Sequence, residues 1–257
     1  MGSDPERLDF RGRRLERADF SGARLHRSDF ENAQITNSDL HNLDITAAIP
    51  EWIEGLRVNG VEVAPLVEAE LDRLHPEHAK LRATDPDRLR EAWAAVEDGW
   101  ASTVARARTL PEPLLHRQVD GDWSFVETLR HLIFATDCWL FRAVRREPHP
   151  YHAWGIAGPW LQDPEHLGID PGADPDLQDV LEVRRGRLAA VRETFAALTS
   201  EELARVTIPP DTPGHPPSVP HQVLQCLQEI LNEEWWHRRY AERDLDALLG
   251  ATLPRPG

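Results

Sequence analysis

The sequence predicts a mainly α-helical protein, an up-down four-helix bundle with long crossover loops, preceded by a short repeat segment of a different architecture. After residue 85, apolar side chains recur at spacings of three and four, as on one face of an α-helix. Two stretches rich in Pro and Gly, 147–175 and 207–219, are long enough for crossover connections. The predicted organisation is a repeat segment at 1–48, a connector at 49–84 and the bundle at 85–250.

Composition narrows the class of protein. The 257 residues contain 44 Asp and Glu against 29 Lys and Arg, giving a net charge of −15, with 12 His and 2 Cys. This charge argues against nucleic-acid and anionic-membrane partners, which need basic surfaces. Two Cys cannot form a disulfide framework and no apolar run approaches about 18 residues, so the expected location is the cytoplasm and no membrane association is expected.

The N-terminal segment is a repeat of period five, which fits neither a helix nor a strand. Its apolar positions are Phe10, Leu15, Phe20, Leu25, Phe30, Ile35, Leu40 and Ile45. The units ADFSG, ARLHR, SDFEN and SDLHN resemble the pentapeptide-repeat family, and that resemblance implies a short right-handed square β-helix with four pentapeptides per coil, hence two coils. Residues 1–48 hold nine acids and seven Arg, too balanced to imitate DNA. A structural cap or docking surface is expected.

The connector is expected to form a hairpin and a short helix. The stretch RVNGVEVA has the Asn-Gly pair of a tight turn between β-branched residues. The stretch PLVEAELDRLH follows, and its Pro65 suits the first turn of a helix. These two elements would lead from the repeat segment into the bundle.

The bundle helices follow from periodicity, caps and breakers. They are expected at about 86–109, 124–146, 176–198 and 220–249. Ser124 and Glu127 have the spacing of a capping box at the start of the second helix. Ser200 begins a short extra turn, and Gly250 is expected to end the last helix because glycine favours the left-handed position after a helix. The long loop 147–175 is expected to serve function.

Two helices carry residue types that suit a metal ion. On the second helix, His131 has the small neighbours Thr128, Ala135 and Cys138 on its own face, which leaves room beside the ring. On the last helix, Glu233 and His237 are four apart and share one face. Two imidazoles and one carboxylate with an open position is a catalytic zinc arrangement.

The spacing leaves two other interpretations open. Glu234, three residues before His237, is a second candidate for the acid. A surface ion pair between Glu233 and His237 is the simpler alternative to a metal site, because such pairs are common at this spacing on exposed helix faces.

The sequences DGDWSFVETLRHLIFATD and NEEWWHRRYAERDL resemble the DinB-like family of four-helix metalloproteins. The resemblance places His131 and His237 at two of the family's metal positions. Glu233 stands where the family often has a second His of His-x-x-x-His. This departure agrees with the mycothiol-dependent maleylpyruvate isomerase branch, whose metal site is similar to His, Glu, His. The resemblance therefore implies Glu233, and not Glu234, as the third ligand.

The resemblance implies a thiol S-transferase or isomerase-like enzyme. Its cofactor would be Zn²⁺ or another divalent metal such as Ni²⁺ or Fe²⁺, with mycothiol or another low-molecular-weight thiol as cosubstrate and a small-molecule electrophile as its partner. The site is implied by this likeness, but the identity of the electrophile is not. Bundles of this kind often form homodimers, which is a further expectation.

Two residues are candidates for catalysis beside the metal. His152 lies in the long loop and could carry a proton, since an imidazole titrates near neutrality. Arg239 could hold a carboxylate, as could Arg238 and Arg243, although a solvated basic face is the alternative. Two other classes of function are a non-catalytic metal-binding stress or partner-docking protein and a metal-dependent hydrolase.

Overall fold

The structure is a computed structural model that describes residues 8–25, 28–47, 53–158, 161 and 163–252. The chain divides into two compact units, Met1–Thr46 and Ala47–Gly257. The predicted end of the last helix at Gly250 lies within the second unit, while the connector's Pro50 lies outside the described residues.

The first unit is a regular series of turns. Four aspartates, ten residues apart, each accept a hydrogen bond from the backbone N–H two residues later: Asp9, Asp19, Asp29 and Asp39. Left-handed backbone recurs at multiples of five, at Gly12, Arg17, Gly22, Asn32, Asn37 and Asn42. Among the described residues of this unit none lies in a β-strand, so the β-helix stays a prediction.

Residues that are far apart in the sequence of the repeat segment interact electrostatically. The pKa of the Arg11 guanidinium is raised chiefly by its hydrogen bonds to Asp9, and the Asp29 carboxylate adds to this shift. Arg11 and Asp29 are separated by 18 residues in the sequence, yet they lie within electrostatic range. This proximity is what a turn of four pentapeptides, about 20 residues, would produce.

The connector folds as expected. Strands β1 (Arg57–Val58) and β2 (Val61–Glu62) form an antiparallel hairpin. Its turn has positive φ at Asn59 and Gly60, 49° and 80°, which is the backbone that an Asn-Gly turn favours. Helix α1 (Ala64–Leu74) follows with a proline in its first turn.

The second unit is mainly helical, as predicted. The remaining helices are α2 (Pro86–Ala107), α3 (Glu112–Leu115), α4 (Phe125–Thr136), α5 (Leu177–Ala196), α6 (Ser200–Ala204) and α7 (Val223–Thr252). Single turns of 3₁₀-helix lie at His78–Arg82 and Pro164–Leu167. Strands β3 (Val206–Thr207) and β4 (His221–Gln222) pair antiparallel and close the second long loop at its base, a pairing too short for a sequence pattern.

Two features of the helices differ from the predictions. Helix α4 begins with the expected capping box of Ser124 and Glu127, but from Asp137 to Val144 it continues as π-helix. A π-helix forms i→i+5 hydrogen bonds and is rare, and the apolar spacing of the sequence predicts only an α-helix here. The expectation that α7 ends at Gly250 was wrong, because Gly250 has no positive φ and the helix continues to Thr252.

The four long helices contact one another in pairs. Helix α2 packs on α5 and α7, and α4 packs on the same two helices. Their shared core includes Trp93, Trp100, Leu129, Val180 and Leu227. Within the part of the chain that the structure describes, no helix is both long and apolar enough to span a bilayer. The packing leaves α4 and α7 face to face, and this contact positions the candidate site.

A buried arginine holds the second long loop. The Arg142 side chain, 1% exposed, donates to the backbone carbonyls of Pro210, Thr212 and Pro216 and to the Thr212 hydroxyl, over 2.6–3.1 Å. Hydrogen bonds from a charged donor are stronger than neutral ones. Arg142 therefore fastens residues 207–219 to the π-helical end of α4.

Replacing Arg142 by methionine is expected to destabilise the protein by about 2–3 kcal/mol, because several carbonyls lose a charged donor. Arg146→Met is the matched control: among the described residues, the exposed Arg146 donates one hydrogen bond, to the Ile208 carbonyl at 3.0 Å, and its loss should cost about 0.5 kcal/mol or less. Urea midpoints would measure both changes. Equal midpoints for the two variants would contradict this role of Arg142.

Candidate metal centre

Helices α4 and α7 bring the three predicted ligands together. The Nε2 atoms of His131 and His237 each lie 3.1 Å from the same carboxylate oxygen, Oε2 of Glu233. One ligand atom from each residue lies within 4.8 Å of the others, and the described residues contain no other group of three potential ligands this close. Ligands at 2.0–2.2 Å from a tetrahedral zinc ion would be roughly 3.3–3.6 Å apart. The spacing suits a single ion.

The long loop 147–175 orients His131. The backbone carbonyl of Ile156 lies 2.9 Å from Nδ1 of His131. Because a carbonyl oxygen only accepts, we assign the proton to Nδ1, which leaves Nε2 directed at Glu233. Such a second hydrogen bond is typical of metal-binding imidazoles. The loop is expected to serve function. Its contact with His131 is made by a main-chain carbonyl, which no pattern of side chains in the sequence indicates.

Arg130, the neighbour of His131, fixes this loop. Its buried guanidinium donates to the carbonyls of Trp154 at 2.9 Å and Ala173 at 2.6 Å. Its own carbonyl accepts from the Ile156 N–H at 3.3 Å. Ile156 is therefore held twice: its N–H donates to the Arg130 carbonyl, and its carbonyl accepts from His131.

The arrangement of His131, Glu233 and His237 favours a positive charge between them. With the proton of His131 on Nδ1, its Nε2 lone pair faces an ionised carboxylate, a repulsive contact unless a proton or a cation lies between. Burial lowers the pKa of His237 even against the raising effect of Glu233, so a proton is disfavoured on that ring. Burial raises the pKa of Glu233, and the pKa is low only with positive charge on the neighbouring His131 and His237, a charge that a cation would supply in their place. The residues therefore fit a divalent cation.

Aromatic rings surround the centre without sealing it. The Trp123 ring lies 4.5 Å from the His131 ring and 5.8 Å from the His237 ring, between centroids. Tyr240 meets His237 edge-on at 5.8 Å. The Glu233 side chain is still 26% exposed. An open side of this kind is typical of sites that admit a further ligand, unlike closed structural sites.

Glu234, the alternative acid, has a different role. Its side chain is 1% exposed and accepts from Arg184 at 2.8 Å within the core. The Arg184 guanidinium also lies 5.2 Å from the Trp100 ring. Burial raises the pKa of Glu234, and Arg184 opposes that shift. The two neighbouring acids of α7 thus face different surroundings.

His152 lies among other partners than the three clustered residues. Its imidazole Nδ1 accepts from the Trp154 backbone N–H at 3.1 Å, and its backbone N–H donates to the Asp137 carboxylate at 2.9 Å. Burial lowers the pKa of its imidazole, and Arg187 lowers it further. No described contact joins His152 to the ligand cluster, and its catalytic role stays a prediction.

Asp137, at the start of the π-helical segment, is fully buried beside Arg187 at 3.1 Å. Burial raises its pKa to about 6, against the lowering effect of Arg187. A raised pKa favours folding while the carboxyl is protonated. This contribution is full below the unfolded value of about 3.9 and is lost as pH rises through about 6.

Asp137→Asn is expected to remove this pH dependence. Its unfolding free energy relative to wild type should increase by about 2 kcal/mol from pH 4 to pH 7, because the amide cannot ionise yet still accepts from the His152 backbone N–H. Urea unfolding of both proteins at several pH values measures the difference, in which contributions of other groups cancel. A constant difference across this range would contradict the raised pKa.

The arginines of α7 differ in their partners. Arg238 pairs with Glu242 at 2.6 Å, and Arg243 pairs with Asp122 at 2.9 Å, as expected for a basic face matched by acids. Arg239 lies over the Trp235 ring at 5.3 Å, with Nη1 3.4 Å from His75. None of its described contacts is to a carboxylate or to the ligand cluster, so its role in holding a substrate stays a prediction.

One histidine near the site was missed in the sequence. The pKa of His215 is lowered to about 4 by burial, while Glu233 acts in the opposite direction, which places the two within electrostatic range. The Tyr151 hydroxyl donates to the His215 carbonyl and accepts from its N–H, at 3.0 and 2.9 Å. His215 has no spacing partner in the chain, and contacts with Tyr151 and, ring to ring at 5.4 Å, with Trp139 hold it in place.

Family models match both parts of the chain. Residues 7–48 match pentapeptide repeats in eight copies, and residues 95–241 match the DinB superfamily. Neither the curated proteins nor the solved structures include one with significant similarity. The second match spans more than half of the chain and contains all three clustered residues, His131, Glu233 and His237. The chain belongs to the DinB superfamily and carries pentapeptide repeats at its N-terminus.

Proposed function

We propose that this protein is a divalent-metal-dependent thiol S-transferase or isomerase-like enzyme, built on an up-down four-helix bundle, that uses a low-molecular-weight thiol such as mycothiol. The observation that carries the proposal is the pair of Nε2 atoms, from His131 and His237, each 3.1 Å from one oxygen of Glu233. Membership of the DinB superfamily supports a metal-binding protein of this type. Four long helices in mutual contact support the bundle.

His131, Glu233 and His237 would hold the ion, and two nitrogens with one carboxylate favour zinc, with Ni²⁺ or Fe²⁺ as alternatives. A divalent cation there would deprotonate a coordinated thiol and hold the thiolate beside its electrophile. Glu233 would offset part of the positive charge, and the Ile156 carbonyl keeps His131 in its metal-binding tautomer. Trp123 covers the imidazole faces and excludes water from that side, which leaves the exposed side of Glu233 for the substrates.

Metal analysis tests the site first. The purified protein is expected to hold about one divalent ion per chain after dialysis, and the double variant His131→Ala, His237→Ala to hold none. The matched control removes two exposed imidazoles, with His41→Ala and His166→Ala, and should keep the ion. Absence of a stoichiometric ion in the wild type, when refolded with zinc, would contradict the proposal.

Thiol dependence tests the chemistry. With metal bound, conjugation of a chromogenic electrophile is expected to require mycothiol and to be lost in the double variant His131→Ala, His237→Ala. Turnover of an ester or amide probe without any thiol would instead indicate a metal-dependent hydrolase. A stoichiometric ion with neither activity would favour the non-catalytic metal-binding protein.

A further inference from the structure

The repeat unit leaves its apolar positions half exposed. All eight central side chains, from Phe10 to Ile45, are 46–59% exposed. In a solenoid each repeat buries its central side chains against its neighbours, and within the described residues of this unit each of two coils has one neighbouring coil and one outer face. We call residues 8–27 the N-terminal coil and residues 28–47 the C-terminal coil.

The two coils carry opposite charge. The N-terminal coil has six Arg against three acids, whereas the C-terminal coil has four acids and neither Arg nor Lys. Their net charges are therefore +3 and −4. The segment as a whole is nearly neutral, although its two coils carry opposite charges along the repeat axis.

We infer that the N-terminal coil of one copy stacks on the C-terminal coil of a second copy, so that the protein associates head to tail through its repeat units. Pairing of two N-terminal coils or of two C-terminal coils would oppose like charges. Head-to-tail stacking joins opposite charges and continues the five-residue repeat, with apolar central residues covering each other. The partner whose turn spacing and charge both match the outer face of a coil is another copy of this coil pair.

The proximity of Arg11 and Asp29 within one chain supports this pairing. These residues belong to the two different coils, and Asp29 contributes to the raised pKa of Arg11. A basic coil thus already lies beside an acidic coil inside each molecule. Contact between copies would repeat the same combination. Because a head-to-tail contact does not close on itself, the association is open-ended.

Light scattering on the full chain tests this association. At low ionic strength the weight-average mass is expected to rise above 29.2 kDa with protein concentration. It should fall back towards one chain in about 1 M salt, where the screening length shrinks to about 3 Å. A mass of one chain at all concentrations in low salt would overturn the inference.

Two variants that each block one end make the test sharper. Arg14→Glu with Arg17→Glu reverses the charge of the N-terminal coil, and Glu31→Arg with Asp44→Arg neutralises the C-terminal coil. Each variant alone should stay monomeric. An equimolar mixture should reach about twice the mass of one chain and no more. One variant keeps a wild-type C-terminal coil and the other keeps a wild-type N-terminal coil, so only one such contact can form between them.

This mixture also serves as the folding control. If the substitutions merely unfolded the repeat unit, mixing would not restore association. A wild-type dimer that is unchanged in both variants would place the interface elsewhere and overturn the inference. Neither outcome depends on the metal centre, so failure here leaves the proposed function untouched.

Discussion

Glu233→Gln is expected to lower the affinity for a divalent ion by at least about 100-fold, since even the loss of a group that only supports a ligand commonly costs 10–100-fold. The amide keeps the shape of the carboxylate but lacks the charge that offsets the cation. It can also donate an N–H to a neighbouring imidazole, so the metal-free variant should unfold within about 1 kcal/mol of wild type. Competition with a chromogenic chelator measures the affinity.

Glu234→Gln is the matched control, one residue further along the same helix. This variant should bind the ion within about tenfold of wild type, because Glu234 faces Arg184 and not the imidazoles. Its stability should fall instead, since Arg184 would remain buried without its counter-ion. The opposite pattern, with metal lost in Glu234→Gln and kept in Glu233→Gln, would disprove our assignment of the ligands.

These two acids show how much of the site the sequence could predict. Helical periodicity places Glu233 and His237 on one face, but it equally allows Glu234 beside His237. The family resemblance selects Glu233, and the geometry agrees with that selection, since both Nε2 atoms point at its oxygen. The burial of Glu234 depends on Arg184, 50 residues away in another helix, which no local pattern reports.

The helices could be predicted well because their caps and apolar spacing are local. The capping box at Ser124 and Glu127 begins α4 as expected. The remaining features depend on tertiary contacts. The Ile156 carbonyl that orients His131 has no side-chain signature, and no local pattern marks Arg142 as a buried residue. Gly250 remains helical where its local preference favours an end to the helix.

Arg184→Met is expected to destabilise the protein by about 3–5 kcal/mol, because it leaves the Glu234 carboxylate buried without a partner cation. The pair lies 2.8 Å apart, with side-chain exposures of 3% and 1%. Among the described atoms, Oε1 of Glu234 has no hydrogen-bond partner, so the pair offsets its loss of solvation incompletely. Urea unfolding of the metal-free protein measures the change.

The double variant Arg184→Met, Glu234→Leu separates the value of the pair from the cost of breaking it. It is expected to regain most of the lost stability, because two apolar side chains of similar size have no charge to desolvate. It should also retain the ion, since His131, Glu233 and His237 are unchanged. If the double variant is as unstable as Arg184→Met alone, the ion pair stabilises the core by more than its burial costs. The missing hydrogen-bond partner of Glu234 Oε1 would then have no energetic consequence.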